Sequence, residues 1–194
     1  MRIFKFGGAS VKDADGIKNV FSVLEKVGHE DTLLVISAMG KTTNALELVI
    51  KNYFEKSNEL HASLQEVRKY HNQIVMDLFD DEEHDVFYAV NSHFADLEYF
   101  IRSNKSPNYN FVYDQVVSYG EIISTTIVSH YFNHAGLKNN WIDVRNFIKT
   151  DNNYRDANLD WEKTQQFISK GIKKKALNIT QGFLGSDENN FTTT

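Results

Sequence analysis

The first 38 residues restrict the fold of this chain more than any other segment does. Residues 2–6 are rich in apolar side chains and end at Gly7 and Gly8, which predicts a short strand that runs into a glycine turn. Apolar residues at helical spacing then predict an amphipathic helix near residues 13–28. The aliphatic run of residues 32–38 predicts a strand buried on both faces, as strands of parallel sheets are. Strand, turn, helix and strand make a βαβ unit, so we expect an α/β fold with a mostly parallel sheet.

The middle of the chain is predicted to be a helical insertion between the second and third strands. Apolar residues recur there at helical spacing, with His71 on the apolar stripe of the second of these helices and Gly136 after the last one. Alternation of strand and helix then resumes, and Asp160 is placed to cap the final helix. The helices are expected near residues 46–53, 60–78, 86–101, 116–131 and 161–172, and the remaining strands near residues 141–144 and 177–181.

Three loops follow strands of this predicted sheet and carry glycine or hydroxyl groups. They contain Gly7 and Gly8, residues 37–44, and residues 182–185. Because ligands of open parallel sheets bind beyond the carboxyl ends of the strands, we expect these loops to border one crevice. The N–H groups of a glycine pair can approach phosphate closely and Lys5 adds a positive charge, although such a pair is as often a plain tight turn. The hydroxyl groups of residues 37–44 suit either an anion or an ordinary helix cap.

Gly120 and Glu121 lie inside the predicted helix of residues 116–131. A glycine within a helix costs about 1 kcal/mol relative to alanine, so we expect a packing or ligand reason for Gly120. Glu121 would suit the ammonium group of a substrate, whereas exposure to solvent is the commoner fate of a glutamate. Both interpretations of Glu121 stay open on these residues alone.

The composition and the histidine spacing disfavour several classes of protein. The formal net charge of −5 argues against a broad nucleic-acid-binding face, and no apolar run reaches the roughly 20 residues needed to cross a bilayer. The absence of cysteine rules out disulfides and thiolate chemistry. His130 and His134 lie one helical turn apart, but no third ligand is evident, so we predict no metal site. The chain is expected in the cytoplasm, without nucleic-acid or membrane partners.

Five short segments stand out when they are taken in order along the chain. They are Lys5-Phe6-Gly7-Gly8-Ala9-Ser10, residues 35–44 (VISAMGKTTN), Ser118 with Gly120 and Glu121, residues 143–145 (DVR) with Thr150 and Asp151, and residues 179–185 (ITQGFLG) with residues 192–194 (TTT). The helical residues 55–110 carry no motif. Together the five segments resemble the aspartate kinases, and the match runs from the first strand to the last residue.

This resemblance implies a fold, a reaction and partners. The amino-acid kinase fold is a three-layer α/β/α sandwich with a mostly parallel sheet, here with a helical insertion. Aspartate kinases transfer the γ-phosphate of ATP to the side-chain carboxylate of L-aspartate, giving 4-phospho-L-aspartate in the first step of lysine, threonine and methionine biosynthesis. The resemblance therefore implies ATP and Mg²⁺ as cofactors, L-aspartate as the substrate, and a homodimer in the complete protein.

The resemblance also implies roles for individual residues. Lys5 would be the catalytic residue, because it neutralises charge on the transferring phosphates. Glu121 would bind the ammonium group of aspartate, which carries the opposite charge. Phosphate binding is implied for Lys5, Phe6, Gly7 and Gly8, and substrate binding for Ser37, Thr43 and Glu121.

The chain departs from the family pattern at two places. Position 9 is alanine where many relatives have threonine, so that hydroxyl is dispensable here. In the family, the run at residues 192–194 leads into a glycine-rich stretch whose arginine would clamp the substrate carboxylate, and then into the nucleotide lobe. Residues 1–194 are therefore expected to be the amino-terminal, substrate-binding lobe, truncated before the nucleotide lobe and regulatory domains and nearly inactive alone. Residues 185–194 should then be poorly tethered, and the strand at 177–181 should lie at an open sheet edge.

Three other functions compete with this interpretation. The chain would also suit another member of the superfamily, such as a glutamate or acetylglutamate kinase. A non-catalytic ligand-sensing module would keep the fold without the reaction, but the presence of both Lys5 and Glu121 weighs against it. A helical interaction scaffold built on residues 45–104 would have no need of glycine and hydroxyl loops at matching strand ends.

Overall fold

The structure is a computed structural model that describes residues 1–81 and 83–194. Within these residues, no helix combines the length and the apolar character that crossing a membrane requires. The helices are α1 (Ala14–Val27), α2 (Thr42–Phe54), α3 (Leu60–Leu78), α4 (Asp85–Ser103), α5 (Tyr109–His134) and α6 (Trp161–Gly171). The strands are β1 (Arg2–Phe6), β2 (Thr32–Ile36), β3 (Asn139–Ile142), β4 (Leu177–Gln181), β5 (Gly185–Ser186) and β6 (Thr192–Thr193).

Four parallel strands form the main sheet in the order β1-β2-β4-β3. All five residues of β4 are buried, because this strand lies between two neighbours. The expectation that the strand at residues 177–181 lies at an open edge is therefore wrong, and the edges of the sheet are β1 and β3. The register aligns Lys5, Val35, Thr180 and Ile142 across the sheet.

Helices cover both faces of the sheet, which gives three layers. Alternate residues of a strand point to opposite faces. Leu34 and Ile36 of β2 are fully buried in the main core, which also contains residues of α1 and α5. Leu33 and Val35 point the other way and line an apolar cavity of about 430 Å³ together with Ile168 of α6. The predicted α/β class, with a mostly parallel sheet and a helical insertion, is confirmed.

Capping side chains mark the starts of α5 and α6. The side chain of Asp160 accepts a hydrogen bond from the N–H of Lys163 at 3.0 Å, which confirms the predicted cap of α6. The side chain of Asn108 accepts one from the N–H of Phe111 at 3.2 Å. Helix α5 therefore begins at Tyr109 rather than near residue 116, because the cap lies ahead of the apolar stripe on which the prediction relied.

The third strand lies two residues earlier than the sequence suggested. It was predicted at residues 141–144 and extends over Asn139–Ile142. The N–H of Val144 donates to Gln181 Oε1 at 2.9 Å instead of to a strand neighbour, and a 3-10 turn follows over Val144–Asn146. Because the side chain of Gln181 on β4 takes this N–H, the backbone pairing of β3 ends at Ile142, before the predicted strand ends.

His71 is a buried polar group in the helical insertion, and the prediction that it lies on the apolar stripe of α3 is confirmed. Its Nδ1 lies 2.8 Å from the carbonyl oxygen of Val67, and its Nε2 lies 3.4 Å from Thr42 Oγ1. A carbonyl oxygen only accepts, so Nδ1 carries the hydrogen and Nε2 accepts from the hydroxyl of Thr42. Burial lowers the pKa of His71 to about 4, so the ring is neutral near pH 7.

Side chains of α5 hold the last ten residues of the chain. Asp114 Oδ2 accepts the N–H of Thr194 at 3.0 Å, and its Oδ1 accepts the hydroxyl of the same residue at 2.6 Å. The side chain of Gln115 bonds both the N–H and the carbonyl oxygen of Thr192, at 3.0 and 2.8 Å. Strands β5 and β6 pair as a short antiparallel hairpin. The expectation that residues 185–194 are poorly tethered is therefore wrong, because the side chains of Asp114 and Gln115 bind the backbone there.

Replacement of His71 by glutamine tests the buried, neutral ring through the pH dependence of stability. The folded-state pKa is depressed, so protonation of His71 leaves the free energy of unfolding unaffected above about pH 6.5 and lowers it progressively as the pH falls from about 6.5 to about 4. Between pH 7 and pH 4 the unmodified chain should lose about 3 kcal/mol more than His71→Gln, which does not titrate. Urea denaturation at several pH values measures this difference.

His61→Gln is the matched control, because His61 is an exposed residue of the same helix. This variant should keep the pH dependence of the unmodified chain. Equal pH dependence of His71→Gln and His61→Gln would contradict a neutral, buried His71.

Candidate functional site

The loops after β1 and β2 are bound directly to each other. The N–H of Ser37 donates to the carbonyl oxygen of Phe6 at 3.1 Å, and the N–H of Gly40 donates to that of Gly8 at 3.0 Å. A Cβ atom at Gly8 would lie only 2.5 Å from the carbonyl oxygen of Ala38. The two loops therefore approach so closely that position 8 has no room for a side chain.

The glycine inside α5 has a packing reason. A Cβ atom at Gly120 would lie 3.1 Å from the Cβ of Ala38 and 3.2 Å from Cγ2 of Thr42. Because the helix meets the loop after β2 at this point, a smaller residue lets them pack closely. Ser124 strengthens the same contact, since its hydroxyl donates to the carbonyl oxygen of Ser37 at 2.8 Å.

Glu121 is buried and attached to the loop after β4. It is 9% exposed, and its Oε2 accepts the N–H groups of Gly182 at 2.8 Å and of Phe183 at 2.9 Å. Burial raises the pKa of Glu121, although these two N–H groups and the charge of Lys5 act in the opposite direction. The interpretation of Glu121 as a solvent-facing glutamate is therefore wrong. Within residues 1–81 and 83–194 its Oε1 accepts no hydrogen bond, so one carboxylate oxygen remains for a ligand.

A cavity of about 470 Å³ lies between these loops and α5. Of the residues proposed from sequence, Gly8, Ser37, Thr43 and Glu121 line it together. Lys5 is exposed at the end of β1 and is near enough for its charge to act on Glu121. Lys5, Phe6 and Gly7 are not among the residues that line the cavity.

Phe6 contributes to the site through its main chain. Its ring is partly buried against the main core, and its carbonyl oxygen is the acceptor that joins the first two loops. Gly7 has extended backbone angles, φ −78° and ψ 169°, and is exposed. The phosphate-binding roles of Lys5, Phe6, Gly7 and Gly8 stay predictions.

Sequence reasoning missed several residues that line the cavity. Tyr113 and Val117 lie two turns and one turn before Glu121 on α5, so counting back at helical spacing from Glu121 would have found them. Arg155 comes from the loop before α6 and had no sequence signal. Its N–H donates to Asp114 Oδ2 at 3.0 Å, and this tertiary contact brings the loop to the cavity.

The histidine pair on α5 lies outside this site. The rings of His130 and His134 lie 5.9 and 5.4 Å, between centroids, from the ring of His84. Nδ1 of His84 accepts the N–H of Val86 at 3.1 Å, so this ring caps α4. In the part of the chain that the structure describes, no three or more His, Asp or Glu side chains form a group suited to a metal ion.

Comparison with known proteins connects the chain with one family. The model of the amino acid kinase family matches residues 1–193. The chain is 27% identical over 186 residues to a bifunctional aspartokinase/homoserine dehydrogenase 2 of Escherichia coli. The matched region covers 94% of this chain and 22% of that protein. It is 29% identical over 196 residues to the chloroplastic aspartokinase 1 of Arabidopsis thaliana, covering 94% of this chain and 33% of the relative. An aspartokinase of Chlamydia trachomatis is 24% identical, over 98% of this chain and 42% of its own length.

Solved structures share the fold. The whole chain superposes on E. coli aspartokinase III in complex with lysine and aspartate, with a TM-score of 0.87 and 23% identity, and covers 43% of that chain. The structure of the same E. coli protein with aspartate and ADP gives a TM-score of 0.84 at 22% identity, again over 43% of its length. The chain thus spans less than half of the relatives that it matches.

Alanine at two adjacent glycines tests the close approach of the first two loops. Gly8→Ala should lower the free energy of unfolding by about 1–3 kcal/mol, because the new methyl group meets the carbonyl oxygen of Ala38. Gly7→Ala is the matched control, since nothing lies within 4 Å of its Cβ position and its φ of −78° suits any residue. Its effect should stay within about 0.5 kcal/mol. Thermal or urea unfolding measures both, and two equally stable variants would show that the loops do not meet as described.

Proposed function

Because the chain belongs to the amino acid kinase family, we propose that it contributes the substrate-binding part of an aspartate kinase. The enzyme would transfer the γ-phosphate of ATP to the side-chain carboxylate of L-aspartate. The product, 4-phospho-L-aspartate, would serve the biosynthesis of lysine, threonine and methionine. The proposal has two supports: the aspartokinase relatives, and the residues that the fold brings to one cavity.

The free carboxylate oxygen of Glu121 is the observation that carries the proposal. A buried carboxylate with an unoccupied oxygen favours a cationic group, and the α-ammonium of an amino acid supplies one. Ser37 and Thr43 line the same cavity and offer hydroxyl groups to the rest of the substrate. The structure of E. coli aspartokinase III with aspartate and ADP supports an amino acid and a nucleotide as ligands here.

The reaction requires positioning more than covalent chemistry from the protein. An oxygen of the aspartate side-chain carboxylate attacks the γ-phosphorus, the bond to the ADP oxygen breaks, and ADP leaves. The attacking carboxylate is already ionised, so no base has to remove a proton. Lys5 would offset the negative charge that builds on the transferring phosphoryl group. Gly8 would let the phosphate approach the backbone closely, because the position has no side chain.

Mg²⁺ accompanies ATP in phosphoryl transfer, but few carboxylate ligands for it line this cavity. Magnesium is usually held by one or two carboxylates together with substrate phosphates. Glu121 is the one carboxylate side chain among the described residues that line the cavity, and its Oε2 already accepts two N–H groups. The residues therefore do not form a site for the ion, and no step is assigned to it.

The division of labour within the enzyme is part of the proposal. We infer that residues 1–194 are the amino-terminal, substrate-binding lobe and that the nucleotide is bound mainly by another part of the enzyme. The chain spans 22–42% of the curated aspartokinases it matches, which is in keeping with one lobe of a larger protein.

This chain should then bind L-aspartate weakly and Mg·ATP barely, which calorimetric titration with each ligand measures. Tight binding of Mg·ATP alone would contradict the division.

Substitution of Lys5 tests the catalytic role. Lys5→Ala should lower kcat for phosphorylation of L-aspartate by about 10²–10³-fold, since one electrostatic contact to the transition state is lost. A coupled ADP-release assay measures this on a longer, catalytically complete polypeptide that contains this chain. Lys69→Ala is the control, because Lys69 is an exposed lysine of α3. An unchanged kcat in Lys5→Ala would remove Lys5 from the mechanism, and faster reaction with L-glutamate or N-acetyl-L-glutamate would favour a different acceptor.

A further inference from the structure

Residues 143–145 belong to the five segments that stand out in the sequence, and they have no role so far. The backbone of Val144 connects this segment with β4, because its N–H donates to Gln181 Oε1 at 2.9 Å. Gln181 is the last residue of β4 and is 1% exposed. The two loop residues whose N–H groups bind Glu121 follow it directly. The segment therefore contacts the residue next to the loop that holds the Glu121 carboxylate.

The side-chain amide of Gln181 is also bound to α5. Its Nε2 donates to Oγ1 of Thr125 at 2.6 Å, and both side chains are buried. Because the N–H of Val144 can only donate, the oxygen of the amide must face Val144 and the nitrogen must face Thr125. The amide thus has one orientation, and it joins the turn after β3 to the helix.

The hydroxyl of Thr125 uses its full hydrogen-bonding capacity. Its oxygen accepts Nε1–H of Trp141 at 2.9 Å as well as the amide of Gln181. Its hydrogen is left for the carbonyl oxygen of Glu121, at 2.9 Å. A hydroxyl has one hydrogen and two lone pairs, so all three are occupied. A saturated buried network of this kind holds its members in one arrangement.

Thr125 lies one helical turn after Glu121, on the same face of α5. The two turns bind three consecutive residues at the end of β4. Thr125 holds the side chain of Gln181, and Glu121 holds the N–H groups of Gly182 and Phe183. Gly182 and Phe183 are exposed, so packing contributes little to their position. The placement of their N–H groups against the carboxylate therefore depends on the anchor at Gln181.

We propose that Gln181 is a positioning residue: anchored by Thr125, it keeps the two loop N–H groups on Oε2 of Glu121. The carboxylate is held in one orientation in this way, with Oε1 left for a ligand. An ammonium group as that ligand rests on the proposed function, whereas the positioning does not. Residues 143–145 act on the site through Gln181, which gives this segment a role.

A pH titration of the unmodified chain, followed by NMR, tests the connection. Protonation of Glu121 weakens Oε2 as an acceptor, so the two loop N–H resonances should shift with the midpoint of its carboxyl carbon. The side-chain amide of Gln181 and Nε1–H of Trp141 should shift with the same midpoint. Trp161 is the other tryptophan of the chain, is 75% exposed on α6, and should not follow this midpoint. An indole of Trp141 that ignores the protonation of Glu121 would overturn the proposal.

Matched threonine variants separate positioning from a general loss of stability. Thr125→Val keeps the shape of the side chain but has no hydroxyl. The two loop amides should then exchange their hydrogens with solvent about 10-fold faster, as expected from the loss of about one hydrogen bond. The pKa of Glu121 should rise, because its charged form loses donors. Thr125→Ser keeps the hydroxyl and should behave as the unmodified chain does.

Thr126→Val is the control, because Thr126 is also a buried threonine of α5. Its hydroxyl donates to the carbonyl oxygen of Ile122 at 2.8 Å and lies 3.2 Å from Nε2 of His93 on α4, rather than against β4. This variant loses the same chemical group but should leave the amide exchange and the titration of Glu121 unchanged. Equal effects of Thr125→Val and Thr126→Val would overturn the positioning role. The titration of the unmodified chain stays decisive where Thr125→Val does not fold.

Kinetics separate this proposal from the proposed function. In a longer, catalytically complete polypeptide that contains this chain, Thr125→Val should raise KM for L-aspartate about 10-fold. The kcat should stay within about twofold, because Lys5 is untouched. If the loop amides loosen and KM does not change, the positioning by Gln181 stands and the binding of the substrate ammonium by Glu121 fails.

Discussion

The carboxylate of Glu121 is the interaction on which the arrangement of the site depends. A buried carboxylate loses several kcal/mol of hydration, so it is stable only where hydrogen-bond donors replace water. Here the N–H groups of Gly182 and Phe183 supply two of them. These two hydrogen bonds attach the middle of α5 to the loop that follows β4. Phe183 and Leu184 of that loop therefore line the cavity. One charged group thus positions a loop and keeps an oxygen for a ligand.

Most elements of the fold could be predicted because their signals are local. The stripe of α3, including His71, follows from helical spacing, and the cap at Asp160 from residue type. The order of strands in the sheet could not be predicted in the same way. Periodicity indicates that residues 177–181 are buried, but it does not say which strands lie beside them. The tethering of the last residues depends on Asp114, a polar residue inside α5. Its hydrogen-bond partner, Thr194, lies 80 positions away in the sequence.

The candidate site was predicted in part, for a similar reason. Gly8, Ser37 and Thr43 meet because the carboxyl ends of parallel strands meet at one edge of the sheet, which the βαβ pattern already implied. Glu121 was singled out by its glycine neighbour and by the family resemblance, and its burial and backbone partners came only from the structure. Arg155 lies in a loop without periodicity, and the acceptor that places it is 41 residues away. No local pattern could have pointed to it.

The position of β4 inside the sheet also orders events during synthesis on the ribosome. Strand β3 is complete at Ile142, yet its one neighbour in the sheet, β4, does not begin until Leu177. Until then β2 and β3 have no common partner, so a nascent chain can assemble β1, α1 and β2 early but must wait to close the sheet. Pairings between distant segments form late and slowly, because the intervening chain has to be ordered first. The loop after β4 binds Glu121. The sheet and the cavity can therefore reach their final topology only after β4 has emerged from the ribosome.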